Sequence, residues 1–240
     1  MNWKILLLAL ALASPAVAQN APAVAAAGSG KRPFTFEDMM KLKRLSEPVP
    51  APDGKWVVFS AQEVDLEANT KKSHLYIVLA AGGEARRLNP TENEEERPRF
   101  SPDGTKLIFT SKASDPTQLW MCGFDSKTGT LLGEAHQVTK QSTGADGGIW
   151  SPDGKNIVFL SSVYPECKDD ACNQQRDKEL EQSKVKAKVF TKLLYRHWVG
   201  FTEFKRSHLF VIAADAVEGV GRDLVPGDRD VPPFNLGGQD

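Results

Sequence analysis

Two cysteines, Cys167 and Cys172, bracket the acidic pair Asp169 and Asp170 in the polar loop Cys167-Lys168-Asp169-Asp170-Ala171-Cys172. Two chemistries suit that arrangement. In an oxidising compartment thiols this close form a short-loop disulfide. Thiolates with neighbouring carboxylates also ligate metal, but four ligands in the usual structural spacing are missing, and this favours the disulfide. Cys122 lies in the apolar run Leu119-Trp120-Met121-Cys122 and reads as a small buried hydrophobe. Serine nucleophiles need a tight strand-to-helix turn flanked by glycines, with a histidine base in reach. No Gly-x-Ser-x-Gly occurs, and Ser29 in Gly28-Ser29-Gly30 has neither strand nor helix beside it. His74 and His208 open equivalent strands, which gives them a structural role, and His136 reads as a surface residue. No residue is therefore assigned a catalytic role, and neither a metal nor a cofactor is expected.

The elements that must position these groups follow a repeat. Pro52-Asp53-Gly54, Pro102-Asp103-Gly104 and Pro152-Asp153-Gly154 recur at an interval of 50 residues. Proline presets φ for the first central position of a turn, aspartate suits the second, and glycine takes the φ > 0 site that follows. Each turn leads into an apolar run: Trp56-Val57-Val58-Phe59, Leu107-Ile108-Phe109 and Ile157-Val158-Phe159. Strands apolar at consecutive positions must be covered on both faces. Phe100 and Trp150 supply an aromatic plug ahead of the second and third turns, and Pro50-Ala51 breaks that pattern in the first.

A second strand recurs at His74 to Val78, Gln118 to Cys122 and His208 to Ile212, and returning strands follow at Arg86-Arg87-Leu88 and His136 to Thr139. About four antiparallel strands per 45 to 50 residues is the signature of a propeller blade. The fold class expected is all-β, an incomplete β-propeller of three blades plus part of a fourth, over residues 34–240, with blades starting near 46, 97 and 147. An ordinary β-sandwich would need the turns to recur by coincidence. A propeller closes with at least four blades, so three leave open sheet edges liable to pair with other chains.

Apolar residues make up 40% of the chain, enough for a sizeable core, and the net charge of -1 with no basic stripe argues against nucleic acid as a partner. The charged stretch Glu92 to Arg97 reads as a solvated loop between blades. Lys4, the apolar run Ile5 to Ala13 and the small residues Ala16-Val17-Ala18 read as a signal peptide over 1–18, cut before Gln19. The run is too short to span a bilayer, and no cysteine follows the cut to carry a lipid. An exported protein, periplasmic or extracellular, with a flexible leader over 19–33 is expected.

Between Phe34 and Leu45 the period changes: Thr35 can cap, and Met39, Leu42 and Leu45 share one face of a short helix placed on the propeller rim. The third blade carries an insertion over 164–206. Asn173 to Lys184 is dense in good helix formers, whereas Val185 to Tyr195 suits either helix or strand.

The chain resembles the N-terminal propeller portion of bacterial prolyl oligopeptidase family serine peptidases of the dipeptidyl aminopeptidase and acylaminoacyl peptidase type. The likeness rests on the helix leading to Pro52-Asp53-Gly54 and on the Ser-Pro-Asp-Gly repeats at 101 and 151. It rests also on the cysteine pair in Tyr164 to Cys172, on Tyr195-Arg196-His197-Trp198 and on Lys205 to Phe210. It implies a peptide substrate, a propeller that restricts access to it, and a C-terminal α/β-hydrolase domain with a Ser, Asp, His triad that is missing here. In such relatives acidic residues of a propeller insertion hold the substrate's free amine. The resemblance makes Arg196, Trp198 and Glu203 the candidate substrate-binding residues; Glu179 and Glu181 depart from an adjacent acidic pair, being split by Leu180. The competing class is a TolB-like periplasmic propeller acting as a non-catalytic binding module. Those proteins carry an α/β domain ahead of the propeller, and only Gln19 to Pro50 precedes it here. A sugar-processing propeller would need metal-binding histidines on its axis, which four scattered histidines do not provide.

Overall fold

The Pro-Asp-Gly tripeptide builds one corner three times. Gly54, Gly104 and Gly154 adopt φ of 71°, 71° and 69°, and their amides donate to the carbonyls of Ala51, Ser101 and Ser151 at 2.8, 2.8 and 2.9 Å. Asp53, Asp103 and Asp153 each accept the amide two residues on, at 3.0, 3.1 and 3.0 Å. That is the Asx arrangement that aspartate brings to a turn. Ser101 and Ser151 add a hydroxyl bond to the aspartate, at 2.6 and 2.5 Å. Ala51 cannot.

The computed structural model describes residues 31–190, 195–197, 200–201 and 204–231. Residues 1–18, Ser29 and the tail from 232 lie outside them. Residues 31–35 belong to an N-terminal unit and carry no helix or strand; the described elements lie in the unit starting at Phe36. In order these are α1 (Phe36–Lys41), β1 (Arg44–Pro50), β2 (Trp56–Asp65), β3 (Thr70–Leu79) and β4 (Arg86–Arg87). Next come β5 (Glu95–Phe100), β6 (Lys106–Ser111), β7 (Gln118–Asp125) and β8 (Thr130–Gln137). The last group is β9 (Asp146–Trp150), β10 (Asn156–Val163), α2 (Asp170–Gln182), β11 (Arg196–His197), β12 (Gly200–Phe201), β13 (Arg206–Ala213) and β14 (Arg222–Asp223).

The strands form three four-stranded antiparallel sheets, β1 to β4, β5 to β8, and β9-β10-β13-β14, with a separate hairpin β11-β12. Each of the three is a meander, and the third is interrupted between β10 and β13 by α2 and the hairpin. The sheets stack. Val58, Leu75 and Ile77 of the first meet Leu107, Phe109 and Phe124 of the second, and Ile108, Leu119 and Met121 on the other face meet Ile157, Phe159 and Phe210 of the third. Burying both faces of the middle sheet explains its consecutive apolar residues, each worth about 1.5–3 kcal/mol when fully buried. The corners stack with the sheets: a Cβ on Gly104 would stand 3.4 Å from the Pro52 ring, and one on Gly154 3.8 Å from that of Pro102. Indoles stitch the seams, Trp56 Nε1 donating to Ser126 O at 2.9 Å and Trp150 Nε1 to Arg99 O at 3.2 Å.

Two expectations are corrected. The helix is shorter than expected: it ends at Lys41, buries no residue and touches β2. Leu45 belongs instead to β1, paired with Ala61, because the edge of β2 offers the backbone a ladder that a short exposed helix cannot match. The stretch Glu92 to Arg97 is not simply a solvated loop. Glu95 opens β5 opposite Ser111, only 3% exposed, held by Asn89 and Thr91 of the preceding turn.

Candidate functional site

The insertion leaves β10 at Tyr164, a buried side chain whose amide donates to Asn173 Oδ1 at 2.8 Å. Cys167 and Cys172 are joined as a disulfide, which folds the loop back so that Asp169 caps α2, accepting the Cys172 amide at 2.9 Å. Asp170, in the first turn, accepts from Gln141 Nε2, Ser142 N and Ser142 Oγ at 2.9, 2.9 and 2.8 Å. Both aspartates are thereby committed to fixing the helix, and among the described residues no cluster of three or more His, Cys, Asp or Glu gathers for a metal.

Beyond this anchor α2 walls a cleft of about 970 Å³, closed on its other sides by the β8–β9 connection, Lys205 and Glu218. Asp177 is neutralised: it accepts from Tyr164 Oη at 2.8 Å and from Lys205 Nζ at 2.8 Å. Lys205 Nζ lies 5.0 Å and Arg176 Cζ 5.5 Å from the Tyr164 ring centroid, so the aromatic face shares both cations. The Glu179 carboxyl is held below its ordinary range by hydrogen bonds from Gln175 and Arg176. Lys140 and Glu218 pair at 2.7 Å on the far wall. Glu181 and Asp115 line the same cleft, and neither carboxylate makes a hydrogen bond or ion pair among the described residues. An uncommitted carboxylate beside an apolar and aromatic wall can receive an ammonium group.

Of the candidates chosen from sequence, Arg196 is an exposed residue of β11, paired with Phe201 across the hairpin. Trp198 and Glu203 lie outside the described residues. Around the hairpin Phe190 meets Tyr195, Phe201 and Phe204 with ring centroids 5.6, 6.0 and 5.0 Å apart. The convergence of Tyr164, Asp177 and Lys205 was missed. These residues are far apart in the chain, and only the meeting of α2 with the start of β13 brings them together.

His208 and His74 sit in structural positions. His208 Nδ1 meets Asp223 Oδ2 at 2.7 Å, but its Nε2 is taken by Gly227 O at 3.0 Å, so the pair offers no nitrogen to a nucleophile. His74, at the matching position of the first sheet, lies beside Asn93 O and Arg87, and burial with that guanidinium lowers its pKa. His136 is exposed.

No protein-family model matches the chain. Dipeptidyl-peptidase 5 of Porphyromonas endodontalis is 27% identical over 196 residues, covering 81% of this chain and 26% of that protein. Dipeptidyl-peptidase 5 of Porphyromonas gingivalis is 27% identical over 195 residues, covering 81% and 27%. The chain thus spans about a quarter of the length of these curated relatives. Among solved structures, the acylaminoacyl peptidase of Pyrococcus horikoshii superposes with a TM-score of 0.50 at 18% identity, covering 74% of this chain and 24% of that one. At that identity the likeness is one of fold. Among the described residues no helix is long and apolar enough to cross a membrane.

Proposed function

We propose that this chain, a relative of dipeptidyl-peptidase 5 in the prolyl oligopeptidase family, is the substrate-gating propeller portion of a larger exported serine peptidase acting on short peptides. The observation that carries the reading is the stack of three equivalent four-stranded sheets in a chain that spans about a quarter of its relatives' length. Each sheet is one blade, and further blades close the ring. The bond-breaking residues belong to an α/β-hydrolase domain outside these 240 residues, and the signal-peptide pattern at residues 1–18 supports export.

Within this reading the insertion cleft faces the peptide. Glu181, alone among the acids of α2 in lining the cleft uncommitted, receives the substrate's free α-amine, while Lys205 and Tyr164 hold Asp177 out of that role. Arg196, Trp198 and Glu203 stay candidate substrate-binding residues in this reading through the family resemblance alone.

The test has two arms. The 240-residue chain alone shows no turnover of dipeptidyl or acyl-aminoacyl chromogenic amides, and measurable turnover would overturn the assignment. In the enzyme with its hydrolase domain, Glu181→Gln raises KM for free-amine dipeptidyl amides about tenfold and leaves N-acylated substrates unchanged. Equal effects on both substrates would remove Glu181 from the amine site.

A further inference from the structure

Between the first and second sheets, away from the α2 cleft, lies a cavity of about 530 Å³ with apolar walls from Leu88, Phe109 and Leu131. Two polar side chains at its edge, Glu95 and Trp120, are incompletely bonded. Glu95 is 3% exposed; its Oε1 accepts from Asn89 Nδ2 at 2.7 Å and Thr91 Oγ1 at 3.1 Å, but its Oε2 is buried with no partner. The indole Nε1 of Trp120 is likewise buried and unpartnered. The contrast with Trp56 and Trp150, whose indoles both find a carbonyl across their seams, is informative. Unmade buried polar groups are costly, and a bound molecule that completes them is one explanation for their presence.

We propose that this seam binds a small neutral molecule through a carboxamide group, its N–H donating to Glu95 Oε2 and its C=O accepting from Trp120 Nε1. Local charge decides the class. Beside Glu95 the guanidinium of Arg87, which binds Thr91 O and His74 Nδ1, opposes an ammonium ligand, and the exposed Glu134 in the lining opposes a carboxylate. A carboxamide carries a donor and an acceptor on one flat edge without charge, and its apolar remainder packs against Leu88, Phe109 and Leu131. A volume of this size lies within the range of small-molecule sites. Burial pushes Glu95 up to about 7, so near neutrality the carboxyl is partly uncharged, which further disfavours a cationic ligand.

The experiment uses three probes of one shape, benzamide, benzoate and benzylamine, titrated into the 240-residue chain at pH 7 and followed by NMR. Benzamide is expected to bind at least about tenfold more tightly than either charged probe. In the wild type it shifts the indole N–H resonance of Trp120 while leaving those of Trp56 and Trp150 in place. Trp120→Phe, which keeps the ring and removes the donor, weakens benzamide about five- to tenfold. Benzoate or benzylamine binding as well as benzamide, an unmoved Trp120 resonance, or an unchanged affinity in the folded Trp120→Phe protein would each overturn the assignment.

Discussion

Glu47 and Arg97 occupy the same position of successive repeats, and Arg97 Nε lies 3.8 Å from Glu47 Oε1. Both adopt the left-handed backbone, φ 51° and 55°, and Gly147 at the same position of the third repeat adopts φ 64°. Each marks the bulge in the first strand of its sheet, where the ladder slips between Ser46 and Val49, between Glu96 and Arg99, and opposite Val158 to Leu160. The bulges turn charged side chains along the stack: Arg99 reaches back to Glu47 at 3.0 Å and Arg97 forward to Asp146 at 3.5 Å. The repeat therefore extends beyond the Asp-Gly corner to a second site of backbone strain, which two of the three modules hold without glycine.

Gly147 should tolerate substitution according to how readily the new residue takes φ > 0. The nearest atom to a Cβ placed there is the flexible end of Arg97, at 3.3 Å, so the cost is conformational. Gly147→Val is expected to lose about 1–2 kcal/mol and Gly147→Asn distinctly less, since asparagine visits the left-handed region more easily. Urea unfolding of the two variants beside the wild type measures this, and equal losses would place the cost in sterics instead.

Glu95 makes stability depend on pH. Burial raises its folded pKa from 4.5 to about 7, against the hydrogen bonds of Thr91 and Asn89 and the charge of Arg87, which act to lower it. Between those values the folded state holds a proton that the unfolded chain releases, so stability falls as pH rises from about 4.5 to 7 and the loss levels off above. The span is up to roughly 3 kcal/mol. Glu95→Gln is expected to flatten this part of the profile, measured by denaturant melts at half-unit pH steps. A wild-type curve that stays level through this window would mean that Glu95 is solvated in the native state.

The corners and apolar runs were legible in sequence because each is fixed by neighbours within a few residues: Asp103 needs only Ser101 and Thr105. Cys167 and Asp169 likewise act within one loop. The burial of Glu95 is not legible in sequence, because its surroundings depend on where the Asn89 to Thr91 turn folds back, which charge patterning cannot show. The partnership of Tyr164, Asp177 and Lys205 was also beyond sequence reasoning, since its members meet only after α2 docks. Periodicity alone puts Leu45 in a helix, because it registers a face but not the competing edge of β2.

The alanine in the first corner provides an internal comparison. Ser101 Oγ donates to Asp103 and accepts the Lys106 amide at 2.9 Å, and it is the largest contributor to holding the Asp103 carboxyl below its ordinary range. Ser101→Ala is expected to cost about 1 kcal/mol and to move the Asp103 titration, followed by carbon-13 NMR, upward toward the ordinary value. Because a depressed carboxylate stabilises above its unfolded pKa, the deficit shrinks as pH falls through that range. An unmoved titration would assign the shift to the backbone amide of Thr105.

The docking of α2 rests on two independent ties with different readouts. Asp170 gathers three donors from Gln141 and Ser142, whereas the Cys167–Cys172 bridge acts on the short loop before the helix. Asp170→Ala leaves the Gln141 and Ser142 donors without their acceptor, at about 1–3 kcal/mol, and is expected to speed amide exchange throughout α2 while the sheets keep their protection. Replacing both cysteines by serine removes a short-loop constraint worth about 2 kcal/mol. The chain then becomes susceptible to cleavage near residues 164–172, with Asp170 still holding the helix. Combining the changes should release α2 altogether, an effect larger than the sum of the two if each tie alone suffices to hold the cleft wall. Strict additivity of the exchange free energies would instead mean that the bridge and the aspartate restrain separate segments, and that the cleft wall depends on Asp170 alone.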